Sequence, residues 1–420
     1  MRNIDYFRNK KVTVVGLARS GLACAQLLSD LGAEVSVTDC SDTPAVRLNT
    51  VRLKEKNIRF ESGKHTPEFI AGRDFIVISP GVTNTSLPVT WARELGIPVI
   101  AEIEVAWMVC PACVIAVTGS SGKTTVATLI GKVLEASGKR VFVCGNIGTP
   151  FCGEVAKIGP DDFVSLEVSS FQLETIRSFK PKIAVMLNFS RNHLDRHKDI
   201  EEYLNAKKRI FMNQGEDEFL VLNKQDPVLK GLAGEAKAKA VYFSETGQFN
   251  PNQAAVAAVS SILGINNNLC ARVFADFKGL EHRLEYVTRV NNIIFINDSK
   301  ATTVESAVWA IKNISSPVIL IAGGRDKGVD YRGIIDVSRK KVKEVIVIGE
   351  ARQKIEDALR GALPLNDAST LEEAVRKAFH DAAPGDCVLL SPMCSSFDMF
   401  LDYEERGRVF KNAVYALVQK

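Results

Sequence analysis

Apolar residues in this 420-residue chain fall in short runs rich in Val and Ile. Each run ends in a polar or glycine turn, and apolar positions at helical spacing commonly follow, which is the pattern of alternating strands and helices. Lys11-Val-Thr-Val-Val-Gly16 predicts a first strand, and residues 20–31 an amphipathic helix stopped by Gly32. Glu34-Val-Ser-Val-Thr-Asp39 predicts the second strand. Residues 74–79 and 96–100 continue the sheet, and 101–108 reads as a helix. A boundary near residue 101 follows from that change.

The next segment repeats the alternation. Strands are predicted at 114–118, 140–144, 162–168, 182–188 and 218–223, with helices at 200–213 and 252–263. A third run begins near Leu280, with strands at 293–297, 318–322, 344–348 and 387–391 and a closing helix over 402–417. The expected fold is α/β with mostly parallel sheets in three domains: Rossmann-like at the N-terminus, P-loop ATPase-like in the centre, Rossmann-like at the C-terminus. Their expected bounds are 1–101, 102–280 and 281–420. Ligands then belong at the C-terminal ends of strands, where the polar motifs that follow these strands fall.

Composition narrows the class. With 46% apolar residues and a net charge of +4, the chain has ordinary cores and no strong field for nucleic acid or an anionic membrane. The uncharged run 105–122 holds Pro111, two glycines and several hydroxyl residues, so no membrane insertion is expected. The first eleven residues hold no apolar signal core, which points to the cytoplasm, as do nine scattered cysteines. Cys110 and Cys113 have metal-like spacing, but no second Cys or His pair lies nearby.

The strongest chemical signal is Val114-Ile-Ala-Val-Thr-Gly-Ser-Ser-Gly-Lys-Thr-Thr125. A strand, a Gly/Ser turn and Lys-Thr at a helix start make a phosphate-binding loop. Gly119, Ser120, Ser121, Gly122, Lys123, Thr124 and Thr125 are its candidate nucleotide contacts. Lys123 supplies charge, and the Thr124 hydroxyl can ligate Mg²⁺. The common early glycine is replaced by Val117, so this is a shorter variant. Glu167 and His193 are further candidate ligands at strand ends, the first on a strand that reads as buried. Gly16, Ala18, Gly21 and Asp39 resemble a dinucleotide fingerprint with its middle glycine replaced by Ala18. Asn223-Lys-Gln-Asp226 matches a guanine-reading motif, yet no Asp-x-x-Gly lies between the loop and residue 222, which weighs against a GTPase. In the third segment Asn297-Asp-Ser-Lys-Ala-Thr-Thr303, Gly323-Gly-Arg-Asp-Lys-Gly328 and Ser391-Pro-Met-Cys-Ser-Ser396 follow three strands and suit anionic groups.

Together these strings resemble the Mur ligases. The matching pieces are Thr118–Thr124, Gly145-Asn-Ile-Gly148, Glu167-Val-Ser-Ser-Phe-Gln-Leu-Glu174, Asn188 with His193-Leu-Asp195, Tyr203-x-x-Ala-Lys207, Gly279-x-x-His-Arg283, Asn297-Asp-Ser-Lys-Ala-Thr302 and Gly323-Gly-x-x-Lys-Gly328, in family order. The Glu167 and Asp298 strings look most like the D-glutamate-adding branch. The resemblance implies an ATP-dependent ligase that joins D-glutamate to UDP-N-acetylmuramoyl-L-alanine through an acyl phosphate, in peptidoglycan precursor synthesis. It implies Lys123, His193 and Lys207 as catalytic residues. It implies two Mg²⁺ ions held by Thr124, Glu167, His193 and Lys207, the last being carbamylated. It assigns Arg283 and Asp298 to ATP. It assigns Ala18, Arg19, Asp39, Ser79, Asn146, Thr302, Lys327, Ser396 and Tyr403 to the other substrates. A monomer is expected.

Departures from the family strings are local. Cys40-Ser41 stands where Thr-Arg is common, so one polar contact toward the uracil end lacks its family residue. Phe249-Asn-Pro-Asn-Gln253 replaces a His-Asn-x-x-Asn string, Asn192 replaces an Asp, and Tyr403 replaces a Phe. Other amino-acid ligases of this family or of folylpolyglutamate type share the central chemistry. A P-loop nucleotide switch or an NAD-dependent oxidoreductase leaves most of these strings unexplained.

Overall fold

The computed structural model describes residues 4–146, 148–190 and 196–418. The chain forms two compact units, Met1–Phe277 and Lys278–Lys420.

The first unit contains two sheets. The first of them holds β1 (Lys11–Val15), β2 (Glu34–Asp39), β3 (Arg59–Ser62), β4 (Phe75–Ile78) and β5 (Val99–Ala101), in the order β3-β2-β1-β4-β5. All four pairings are parallel. β4 is a continuous apolar run, while β1 and β2 interleave valines with the buried Thr13, Ser36 and Thr38. Edge strand β3, Arg-Phe-Glu-Ser, is only partly buried, so its pattern carries no apolar run.

The second sheet holds β6 (Cys113–Thr118), β7 (Val141–Gly145), β8 (Phe163–Glu167), β9 (Ile183–Met186), β10 (Phe219–Asn223) and β11 (Lys239–Phe243). Its order is β11-β10-β9-β6-β8-β7, again parallel throughout. β6 lies between β8 and β9, so the ends of these three strands share one edge of the sheet. The helix Lys123–Ala136 buries Val126, Leu129, Ile130, Val133 and Leu134 against one face of this sheet. The expected helix over 200–213 is an α-helix only over Ile200–Lys208 and tightens to a 3₁₀ turn at Arg209–Phe211.

One apolar cluster runs through both sheets' layers, from Leu22 and Cys24 to Phe151 and Leu173. Two buried acids on the connecting helix Glu102–Val109 reinforce it. The Glu104 carboxylate accepts the backbone N–H groups of Arg177 (3.0 Å), Ser178 (2.8 Å) and Phe179 (3.1 Å) and the Ser178 hydroxyl. Glu102 accepts from Gln172 Nε2 at 2.9 Å, and burial pushes its pKa up to about 7. Glu104→Ala leaves three backbone N–H donors, that of Phe179 buried, and the Ser178 hydroxyl without their acceptor. It is expected to cost about 3–5 kcal/mol, read as a fall in the denaturant midpoint.

The second unit holds β12 (Glu285–Val290), β13 (Ile293–Asn297), β14 (Val318–Gly323), β15 (Val342–Ile348), β16 (Leu365–Asp367) and β17 (Cys387–Leu390). The order is β12-β13-β17-β14-β15-β16, and only the β12–β13 pair is antiparallel. That hairpin turns on Asn291 and Asn292, with φ of 50° and 63°. Asparagine tolerates this left-handed conformation, which a two-residue hairpin turn requires. The whole is α/β with mostly parallel sheets, as the apolar pattern implied.

Candidate active site

The phosphate loop runs off β6 into the helix Lys123–Ala136. Gly122 is left-handed, with φ 80°, and a Cβ there would collide with Asn252 Oδ1. Gly119 has φ 156°, and a Cβ there would press on Leu187. These two positions therefore demand glycine. The loop is held from the β9 side. Asn188 accepts Ser121 N–H through Oδ1 at 2.9 Å and Ser120 N–H through its carbonyl at 3.1 Å. The Ser120 hydroxyl donates to Ser190 O at 3.1 Å and lies 3.3 Å from the Tyr203 hydroxyl.

Candidate metal ligands meet on the β8 side. Glu167 ends β8 and is 2% exposed. Its Oε2 accepts the Thr124 hydroxyl at 2.8 Å, and its Oε1 accepts Asn146 Nδ2 at 2.8 Å. Gly145 lets that approach occur, since a Cβ there would collide with the Glu167 carbonyl oxygen. Hard oxygens from a carboxylate and a hydroxyl at a phosphate loop suit Mg²⁺.

Two lysines flank the loop. Lys123 Nζ donates to the Gly119 and Ser120 carbonyls at 3.0 and 3.3 Å. Lys207, on the helix Ile200–Lys208, is 1% exposed. Its Nζ donates to Gly119 O at 2.9 Å and to Thr118 Oγ1 at 3.4 Å, and lies 4.7 Å from the Tyr203 ring centroid. Burial, with the neighbouring charge of Lys123, drives its pKa well below the usual lysine range, against the pull of Glu167. Tyr203 and Lys207 stand four apart on one helix face. Both are buried, so the i, i+4 spacing lines them up on the helix's inward face. His193 lies outside the described residues.

A second group of candidates gathers at the first sheet. Gly16 follows β1 with φ 94°, and Ser79 Oγ donates to its carbonyl at 3.0 Å. Gly21 packs so tightly that a Cβ would collide with that same carbonyl. Ala18 stands at the start of the helix Arg19–Asp30 with no side-chain cap. Asp39 closes β2 and accepts Leu17 N–H at 2.6 Å and Ser41 N–H at 2.7 Å.

In the second unit the loops after β13, β14 and β17 converge. Lys327 Nζ donates to Thr302 O at 3.0 Å, and Arg325 N–H to Ser395 O at 2.9 Å. Asp298 accepts Leu284 N–H and Ser391 Oγ, each at 3.1 Å, and burial pushes its pKa up to about 6 while Arg283 opposes the rise. Ser396 is buried, and the Tyr403 carbonyl accepts the Ser299 hydroxyl at 2.8 Å. Sequence reading missed Arg406. This fully buried guanidinium donates to Ser299 Oγ and O and to Cys394 O, tying two of these loops together. It sits in a charged helix segment, Glu404-Glu-Arg-Gly407, that reads as a solvated face.

The guanine-reading motif does other work. Asp226 caps the helix Pro227–Gly231 and accepts Phe189 N–H at 2.7 Å, while Asn223 Nδ2 donates to Leu187 O. Asn250 and Gln253 form a reciprocal cap on the helix Pro251–Ile262. Cys24, Cys40, Cys144, Cys152, Cys270, Cys387 and Cys394 are free thiols.

Similarity to known proteins agrees with this geometry. The Mur ligase MurD-like N-terminal domain matches residues 10–101, the Mur ligase middle domain 117–268, and the Mur ligase glutamate ligase domain 282–394. A UDP-N-acetylmuramoylalanine--D-glutamate ligase of Thermoanaerobacter sp. (strain X514) is 40% identical, over 98% of this chain and 99% of its own. One from Koribacter versatilis (strain Ellin345) is 39% identical with the same coverage. Among solved structures, the UDP-N-acetylmuramate-alanine ligase of Thermotoga maritima has the same fold, with a TM-score of 0.61 at 16% identity, over 97% of this chain and all of that one. With matching models for all three sheets and relatives this similar from end to end, the chain belongs to the Mur ligase family.

Proposed function

We propose that the chain adds D-glutamate to UDP-N-acetylmuramoyl-L-alanine, with conversion of ATP to ADP and phosphate, in peptidoglycan precursor synthesis in the cytoplasm. The observation that carries this reading is the meeting of Lys123, Thr124, Glu167 and buried Lys207 around one glycine loop. Such a site suits phosphoryl transfer, which depends on positioning and charge neutralisation. The names of the full-length relatives supply the substrates. Residues 1–101 are assigned to the UDP substrate, 102–280 to ATP, and 281–420 to the amino acid and ATP.

In this reading the loop amides and Lys123 hold the β- and γ-phosphates. The substrate carboxylate takes the γ-phosphoryl group, which gives an acyl phosphate and ADP. The D-glutamate amine attacks the acyl carbon, loses a proton, and phosphate leaves. Thr124 and Glu167 would hold one Mg²⁺ and His193 with carbamylated Lys207 a second, and the ions would supply neutralisation of phosphate charge. Asn146, Ala18, Arg19, Asp39 and Ser79 are assigned to the nucleotide-sugar substrate. Thr302, Lys327, Ser396 and Tyr403 are assigned to D-glutamate, and Arg283 and Asp298 to ATP. The protein acts as a monomer. No helix among the described residues is long and apolar enough to cross a membrane.

The test is phosphate release with each amino acid in turn. Release above background is expected only with both UDP-N-acetylmuramoyl-L-alanine and D-glutamate present. Equal release with L-glutamate, L-lysine or no amino acid rules the reading out.

A further inference from the structure

The β2–β3 edge of the first sheet carries a hydrogen-bonded relay that the proposed mechanism leaves unused. The Thr38 hydroxyl, fully buried on β2, donates to Glu61 Oε1 at 2.7 Å. Its oxygen also lies 2.6 Å from His65 Nδ1. Glu61 is fixed in turn by Thr66, whose N–H and hydroxyl both donate to it at 2.9 Å. A hydroxyl has one proton. With that proton on the glutamate side, Thr38 can only accept from His65, so Nδ1 carries the hydrogen. In a neutral ring Nε2 is then left as an acceptor. Burial lowers the His65 pKa and favours that neutral ring, while Asp39 and Glu61 pull the other way. Among the described residues Nε2 has no bonded partner.

Position says what this acceptor faces. In a nucleotide-binding βαβ unit, phosphates sit at the helix start after β1 and the acid ending β2 takes a ribose hydroxyl. The base therefore extends past β2 toward β3. Here the helix start is Arg19, the β2 acid is Asp39, and the β3 loop carries His65. The two loops are joined by Gly63 N–H to Ser41 O at 3.2 Å. The residues following Asp39 are Cys40 and Ser41, with short side chains, so a polar group reaching the base from this edge comes from the β3 loop.

We propose that His65 reads the uracil base, its Nε2 accepting the imide N3–H, with Glu61 and Thr38 fixing the tautomer. This rests on the reading of residues 1–101 as the UDP-substrate domain.

The experiment measures binding of UDP and of 3-methyl-UDP, which lacks the N3–H, to the full chain by calorimetry. The wild type is expected to lose about tenfold in affinity on methylation, the size of one buried hydrogen bond with its partner left unpaired. In His65→Phe the ring shape stays, UDP itself binds several-fold more weakly, and the methylation penalty shrinks to about twofold or less. Thr38→Val keeps the shape of β2 and frees the tautomer, so its penalty is expected to fall between the two. An equal methylation penalty in wild type and His65→Phe overturns the assignment. An unchanged penalty in Thr38→Val overturns the tautomer relay. Failure of the wild type to bind UDP at all overturns instead the reading of this domain.

Discussion

Lys207→Ala is expected to lower kcat by about 10²- to 10³-fold, the scale for removing a charge-stabilising group from an active site. The side chain is buried between the Gly119 carbonyl and the Tyr203 ring, with Lys123 nearby. An ammonium there is poorly placed: it has lost water and faces a second cation. Both effects favour the neutral amine. Only a neutral amine can attack CO₂, and the product, a carbamate, is an anionic oxygen ligand of the kind Mg²⁺ prefers. Wild-type turnover should therefore fall in CO₂-depleted buffer and recover when bicarbonate is added. The residual turnover of Lys207→Ala should ignore both. The sign with pH follows: raising pH through the lowered pKa increases the neutral amine and with it the CO₂-dependent activity. A Lys207→Met control fills the space without the nitrogen. If it turns over normally, Lys207 has no part in catalysis. If the wild type is indifferent to CO₂, the lysine acts as an amine and carbamylation is wrong.

This residue also marks the limit of what the sequence discloses. The central strand β4, Phe-Ile-Val-Ile, was legible because burial on both faces leaves it no polar position. The phosphate loop was legible because Gly119 and Gly122 perform backbone work that other residues cannot. Edge strands β3, β11 and β16 were not, since half-exposed strands carry polar residues and their pairing is set by distant neighbours. Lys207, in the string Ala-Lys-Lys-Arg, has the sequence context of a solvated helix lysine and enters only through the family resemblance. Arg406 and Glu104 gave no signal, because a buried charge is betrayed by its partners, and these come from segments far away in sequence. The dinucleotide-like fingerprint was legible in part: Gly16 and Gly21 had structural reasons, while the third sheet's converging loops were readable only as strand ends rich in Ser, Thr and Lys.

Glu167→Gln tests the other half of the site and should act on metal dependence first. The carboxylate already serves two partners, the Thr124 hydroxyl and Asn146 Nδ2, through separate oxygens. A glutamine keeps one acceptor and the side-chain volume, so the fold around β8 should persist. Thr124 can turn its hydroxyl to accept from the new amide, since its oxygen both donates and accepts. What is lost is the negative charge and one hard oxygen. For a divalent ion held by few protein ligands, that loss is expected to raise the Mg²⁺ concentration for half-maximal activity by about 10- to 100-fold. It should also lower kcat at saturating Mg²⁺ by about 10²-fold, because developing charge on the transferred phosphoryl group is less well neutralised. Thr124→Val should move the Mg²⁺ requirement in the same direction but by less, since a neutral hydroxyl is replaced and the carboxylate remains. Titrating Mg²⁺ at fixed ATP separates the two effects. A Glu167→Gln protein with wild-type Mg²⁺ dependence and wild-type kcat would leave this carboxylate as an anchor for Thr124 and Asn146 and move the metal site elsewhere.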